Sequence, residues 1–183
     1  MEISSQEGKI LSKLSEYLKR GGPPEIAVKD YDYRGYGRMF FDSIIMKDVV
    51  RRRNVKYSST FYELALYLVS NFAREFSYTR LKNIVDVGSV HTVKNYVDYL
   101  GEAFIILKAE RFSYKVWESL KSPRKAYIID PALLSAGFTP SPDLGRKMEN
   151  AVELLRRGYR LYYWRDERGE VDFVLKKGSK IEG

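Results

Sequence analysis

Two carboxylates near the end of the chain, Glu149 and Asp172, have the chemistry to hold a hard divalent cation. Glu149 falls on an amphipathic helical pattern, and Asp172 lies in the second strand of the hairpin that follows. Phosphodiester hydrolysis needs an ion that polarises phosphate and generates hydroxide, and carboxylates suit Mg²⁺ or Mn²⁺. A further strand starting near Lys180 is expected to complete such a site with an E-x-K pair. Glu182 is present, but the sequence ends at Gly183, before a lysine could follow it. Structural readings stand beside the catalytic one. Glu149 is placed to pair with Arg146 one turn back or with an arginine from another element. Asp172 is placed to meet a nearby arginine in a surface ion pair.

A second group of residues suits nucleic acid. Ser89 is an N-cap residue, and the helix it opens carries His91, Thr92, Lys94 and Asn95 on its early exposed positions. Thr, Asn, Lys and His at the start of a recognition helix can reach base edges and phosphates. Arg80, Lys82, Arg111 and Lys115 are spaced around it as backbone-phosphate contacts. The alternative is a packed tri-helical module used for protein contacts.

The elements that must position these groups can be read from periodicity. Ile10, Leu11, Leu14, Tyr17 and Leu18 predict a helix from Glu7 to Arg20, broken by Gly21-Gly22-Pro23-Pro24. A short element from Ile26 to Tyr33 and a loop at Gly35 and Gly37 follow. Phe40, Phe41, Ile44, Ile45 and Val49 then define a helix ending in Arg51-Arg52-Arg53, where the helix dipole favours cations. Phe61, Leu64, Ala65, Leu68 and Phe72 form one helical face. Ser77 or Thr79 caps a second helix with Leu81, Ile84 and Val85, and the Ser89 helix buries Val93, Tyr96, Val97 and Leu100. Two short strands, Ile105–Ala109 and Arg111–Lys115, complete a winged helix-turn-helix.

Beyond Pro123 the pattern changes to a strand at Lys125–Ile129. A helix over Ala132–Ala136 is capped by Asp130 with Pro131 at its first position. Another helix opens at Ser141-Pro142-Asp143, buries Leu144, Met148, Val152 and Leu155, and ends at Gly158. Strands Tyr159–Arg165 and Glu170–Leu175 flank an Asp-Glu-Arg-Gly turn. Val171, Phe173 and Leu175 share one face of the latter strand, with Glu170 and Asp172 on the other.

Composition narrows the chemistry. The 183 residues contain no cysteine and one histidine, which excludes disulfides, thiol nucleophiles, Cys/His zinc sites and Ser-His-Asp triads on this chain. A formal charge of +8 favours a polyanionic partner such as DNA. One Gln, five Asn and abundant Lys, Arg and Glu are also the bias of heat-adapted proteins, which accounts for part of that charge. No apolar run reaches bilayer length and the N-terminus is polar, so a cytoplasmic location without membrane contact is expected. No G-x-x-x-x-G-K-[ST] occurs, so no ATP hydrolysis is expected of this chain and no cofactor is assigned to it.

Six segments occur in a characteristic order: GGPPE (Gly21 to Glu25), KDVVRR (Lys47 to Arg52), SVHTVKNYVDYLGEAFII (Ser89 to Ile106), KAYIIDPALL (Lys125 to Leu134), MENAVELLRRG (Met148 to Gly158) and YYWRDERGEVDFVL (Tyr162 to Leu175). Together they resemble the C-terminal half of a prokaryotic family of AAA-type ATPases, common in archaea. The resemblance implies an α+β chain: a lid-like helical segment (1–57), a winged helix (58–122) and a truncated restriction-endonuclease-like domain (123–183). It implies ATP and Mg²⁺ for the parent protein only, and docking on its own ATPase domain or a partner protein. Glu149 and Asp172 match the first two acidic positions of the nuclease-like fold, and the E-x-K strand is expected to be cut short.

Overall fold

Residues 2–28, 32–138, 144–154, 159–178 and 180–182 are described by a computed structural model, without the side chains of 2–5 and 152–154. Ser141-Pro142-Asp143, Leu155 and Gly158 lie outside the described residues, as does the side chain of Val152.

The first apolar stripe folds as α1 (Glu2–Arg20), which buries Leu18 but leaves Ile10 and Leu11 about two-thirds exposed. Gly21 ends it at φ +82°, where a Cβ would sit 2.2 Å from an Asp130 carboxylate oxygen. Only glycine fits that approach. After α2 (Pro24–Val28), the loop expected around Gly35 and Gly37 is instead the start of α3 (Tyr33–Ser43). Asp32 caps α3 by accepting from the Arg34 and Gly35 N–H groups, both at 3.1 Å. Gly37 has a packing role inside this helix, because a Cβ there would lie 2.2 Å from the Ala132 carbonyl oxygen.

α3 continues through a π-helical segment, Ile44–Val50, into α4 (Arg51–Arg53), and left-handed Asn54 terminates the rod. Phe41, Ile45 and Val49, four residues apart, line its buried face. The terminal arginines have protein partners: Arg52 meets Asp48 at 3.2 Å, while Arg53 pairs with Glu102 and covers the Tyr99 ring.

α5 (Ser58–Ser70) buries Phe61, Leu64, Ala65 and Leu68, and β1 (Arg74–Phe76) follows. Ser77 caps α6 (Tyr78–Ile84) and Ser89 caps α7 (Val90–Glu102), through the Arg80 and His91 N–H groups. Leu81 and Val85 of the α6 stripe are buried, whereas Ile84 is exposed. The apolar stripe of α7 is buried as expected.

β2 (Ile106–Arg111) corrects one expectation: Arg111–Lys115 is not a strand. The Phe112 N–H still donates to the Tyr163 carbonyl, and then Ser113 Oγ accepts the Lys115 N–H and donates to Glu118. These side-chain bonds open α8 (Val116–Lys121). The strand that returns along β2 is β3 (Arg124–Ile128), antiparallel from Ile106↔Ile128 to Glu110↔Arg124. β3 also pairs with β1 on its other side.

Asp130 caps a turn as expected, but Pro131–Ala136 is a 3-10 helix, tighter than the α-helix the periodicity suggests. Its carboxylate also receives the Gly22 N–H at 3.0 Å, tying the GGPPE segment to the end of β3. Burial pushes the Asp130 carboxyl above its usual range, opposed by the bonds from the Ala132 and Gly22 N–H groups. α9 (Leu144–Leu154) precedes the hairpin of β4 (Arg160–Asp166) and β5 (Gly169–Lys177), and β6 (Lys180–Glu182) adds a final strand.

The result is a mixed α and β architecture around a six-stranded sheet of order β1-β3-β2-β4-β5-β6. All neighbours are antiparallel except β2 and β4, which run parallel. The sheet and the apolar core, which runs from Phe41 through Phe61 and Tyr127 to Tyr163, are continuous across residues 57 and 122. Among the described residues no helix is long and apolar enough to cross a membrane.

Candidate functional site

Alternation along β3 sends Lys125 and Tyr127 to the same face of the sheet. Both are buried, Lys125 with only 4% exposure. The Lys125 ammonium contacts Glu149 on α9 at 3.0 Å, and Glu170 and Asp172 on β5 at 2.6 and 2.8 Å. An ammonium has three N–H donors, and these three carboxylates can take them all. Tyr127 adds a hydroxyl donor to the same Glu149 oxygen at 2.7 Å.

Burial works to discharge Lys125, but the bonds to Asp172, Glu170 and Glu149 outweigh it and hold the ammonium above the usual lysine range. The group is therefore charged at neutral pH, unsuited to act as a base or amine nucleophile. A bulge brings Asp172 into place: Tyr162 pairs with Val174 but Trp164 with Val171, so two β5 residues face Tyr163 alone. The same bulge turns Val174 inward and breaks the simple alternation expected over Val171, Phe173 and Leu175.

The helix carrying Glu149 docks by polar groups, which corrects its expected apolar face. Leu144 and Met148 are exposed at 61% and 48%, whereas Asn150 is 2% exposed. The Asn150 amide accepts the Ile128 N–H at 2.7 Å and donates to the Ile128 carbonyl at 2.8 Å. β1 begins at Arg74, opposite Ala126, so this side chain extends the ladder beyond that end by one pair. Arg146 lies over the Phe72 ring rather than on Glu149.

The knot forms the floor of a cleft of about 440 Å³, also lined by Arg74, Glu75, Arg80 and Arg165. Arg165 bridges Glu75 at 3.5 Å and Glu170 at 3.7 Å. Among the described residues, four cations and four carboxylates thus balance in one cleft. The two carboxylates singled out from sequence do converge on one point, and that point is an ammonium. Glu182, on β6 opposite Leu175, pairs with Lys180 and does not line the cleft. Among the described residues no cluster of three or more His, Cys, Asp or Glu side chains is arranged to hold a metal.

The nucleic-acid candidates divide into three places. His91 and Lys94 are exposed, and Thr92 and Asn95 half-buried, on the first turns of α7. Arg80, although exposed on α6, lines the carboxylate cleft. Arg111 closes β2 and lines a separate groove beside α8. Lys125, Tyr127, Glu170 and Asn150 were not singled out by sequence; the signal available was a lysine inside an otherwise apolar strand.

Residues 11–142 match a domain of unknown function, DUF8612. The chain belongs to the DUF8612 family. An uncharacterized protein of Haemophilus influenzae is 29% identical over 187 residues, covering 98% of this chain and 47% of that protein. The uncharacterized protein MJ1544 of Methanocaldococcus jannaschii is 30% identical over 182 residues, covering 93% of this chain and 41% of that protein. The chain therefore spans less than half the length of these two relatives. No solved structure matches. The DUF8612 match holds β1, β2, β3 and α5 to α8, whereas Glu149, Glu170 and Asp172 lie beyond it.

Proposed function

We propose that this chain is a DNA-binding module, the C-terminal portion of an AAA-type ATPase, that engages duplex DNA through the first turns of α7. The observation that carries the reading is the order α5-β1-α6-α7-β2-β3 with sheet order β1-β3-β2. That is the order of a winged helix, in which α7 is the recognition helix and the β2–β3 connection is the wing. His91, Thr92, Lys94 and Asn95 are the base and phosphate contacts, while the opposite face of α7 is held in the core by Val93, Val97 and Leu100. Two relatives of more than twice this length leave room for an ATPase module in such proteins.

Fluorescence anisotropy with a labelled duplex tests the reading. Binding is expected to weaken linearly in log–log terms as salt rises, because each lysine or arginine contact releases condensed counterions. Lys94→Glu is expected to weaken it without changing the fold. No binding at low salt, or binding insensitive to salt, overturns the proposal.

A metal-dependent nuclease using Glu149 and Asp172 is the second reading, favoured by their convergence on one atom. It requires Mg²⁺ or Mn²⁺ to enter beside or in place of the Lys125 ammonium. Metal-dependent nicking abolished by Asp172→Asn supports it; an intact substrate after prolonged incubation with the full-length protein rejects it.

A further inference from the structure

The chain's two tryptophans, Trp117 and Trp164, line the same cavity, a groove of about 550 Å³ between the β2–β3 connection and β4. Tyr114 and Trp117 stand 88% and 57% exposed at its mouth. Phe112 links them to the sheet, its ring edge-on to Tyr114 at 5.2 Å and to Tyr162 at 5.9 Å. Large aromatic rings are normally buried, and their flat faces are what a stacked ring system would cover. Three cations share the groove: Arg111, Lys115 and Lys121, the last with its ammonium 5.6 Å from the Trp117 ring centre. Among the described residues the groove has one carboxylate, Glu118, held by Ser113 and Lys115, which keep it below its usual range. The groove is thus cationic as well as aromatic.

We propose that this groove binds unpaired nucleobases of a single-stranded polynucleotide, with Trp117, Trp164 and Tyr114 as stacking platforms and Arg111, Lys115 and Lys121 on the phosphates. Aromatic rings interleaved with cations match the two repeating features of such a strand, bases and phosphates. An apolar peptide would leave the cations unanswered. The inference extends the DNA-binding reading: the recognition helix holds the duplex, and the wing holds a strand that leaves it.

The test is titration of the whole chain with an oligothymidylate of about 16 nucleotides, the upper end of the site sizes of single-strand-binding modules. Both tryptophans lie in the groove, so quenching of tryptophan fluorescence, excited selectively over the fifteen tyrosines, reports on that groove. Quenching at low salt is expected. Trp117→Ala and Tyr114→Ala, both at exposed positions, are each expected to weaken binding by roughly 5- to 150-fold, the range for losing one base–aromatic stack. Lys94→Glu should leave oligothymidylate binding unchanged while weakening duplex binding, and Trp117→Ala should do the reverse. If duplex binding is absent but quenching persists, the recognition-helix reading falls and the groove stands. Three results overturn the inference. They are no quenching at low salt, binding indifferent to both aromatic variants, and a concentration-dependent dimer that Trp117→Ala abolishes, which would make the exposed rings a protein interface.

Discussion

Replacing Lys125 with Met keeps the length of the stem and removes the one cation bonded to Glu149 among the described residues. The magnitude follows from burial. Lys125 and Glu149 are 4% and 15% exposed, so this pair is effectively interior, and removing one partner of a buried pair costs about 3–5 kcal/mol. Glu170 and Asp172 are 33% and 51% exposed and regain water when the ammonium goes, so they add little. Tyr127 still donates to Glu149, which places the expected loss near the lower bound, about 3 kcal/mol. For a chain of this size that is roughly 6–12 °C in melting temperature. Urea denaturation should show a lower midpoint with an unchanged slope. The sign of the pH dependence is also defined. The folded Lys125 pKa is raised, so its contribution is complete below the unfolded value of about 10.4 and lost only as pH rises beyond it. The deficit should therefore be constant from about pH 7 to 9 and shrink as pH rises past about 10.4. Lys125→Met/Glu149→Gln should recover part of the loss. A loss under about 1 kcal/mol would refute a stabilising ammonium.

Asn150→Leu strips both backbone groups of Ile128 of their partner and is expected to cost about 1–3 kcal/mol for each, seen as a lower urea midpoint and faster exchange of the Ile128 amide. Gly37→Ala drives a methyl against the Ala132 carbonyl and is expected to cost about 1–3 kcal/mol, whereas Gly88→Ala, with open space around it, should cost far less. Gly21→Ala should melt lower than wild type, because both its φ of +82° and the Asp130 carboxylate oppose a side chain; an unchanged melting curve would sink that account.

The helical half was legible because its signals are local. Ser77, Ser89 and Asp130 cap the turns they announce, and the stripe Phe61, Leu64, Ala65, Leu68 is wholly buried. What misled was pairing at a distance. Arg111–Lys115 carries aromatic and polar alternation, but its second half becomes a helix entry fixed by Ser113, while β3, far along the chain, takes the place beside β2. Gly35 and Gly37 look like loop residues, yet Gly37 is small because α3 crosses the turn after Asp130. The outcome at Glu149 depended on Lys125, and its neighbours in sequence, Ala126 to Ile128, advertise only an apolar strand. A lysine in an apolar strand flags a buried cation, but periodicity does not say which residues face it.

The distribution of charge also decides which surfaces can attract a polyanion. The formal excess over the chain is +8, but the described residues of the cleft around Lys125 contribute none of it, since four cations there are matched by four carboxylates. A phosphate entering there would have to break the bonds of Lys125 to Glu149, Glu170 and Asp172 to gain a partner. The groove beside α8 keeps three cations against one carboxylate already bonded within the loop, and the first turns of α7 expose Lys94 and His91. β3 separates the two behaviours: its Lys125 face closes the neutral cleft, while its pairing with β2 anchors the connection that carries the cationic groove. A polyanion is steered by unmatched charge, so under the DNA-binding proposal it would be drawn to the groove beside α8 and the first turns of α7, away from the carboxylates that first suggested catalysis.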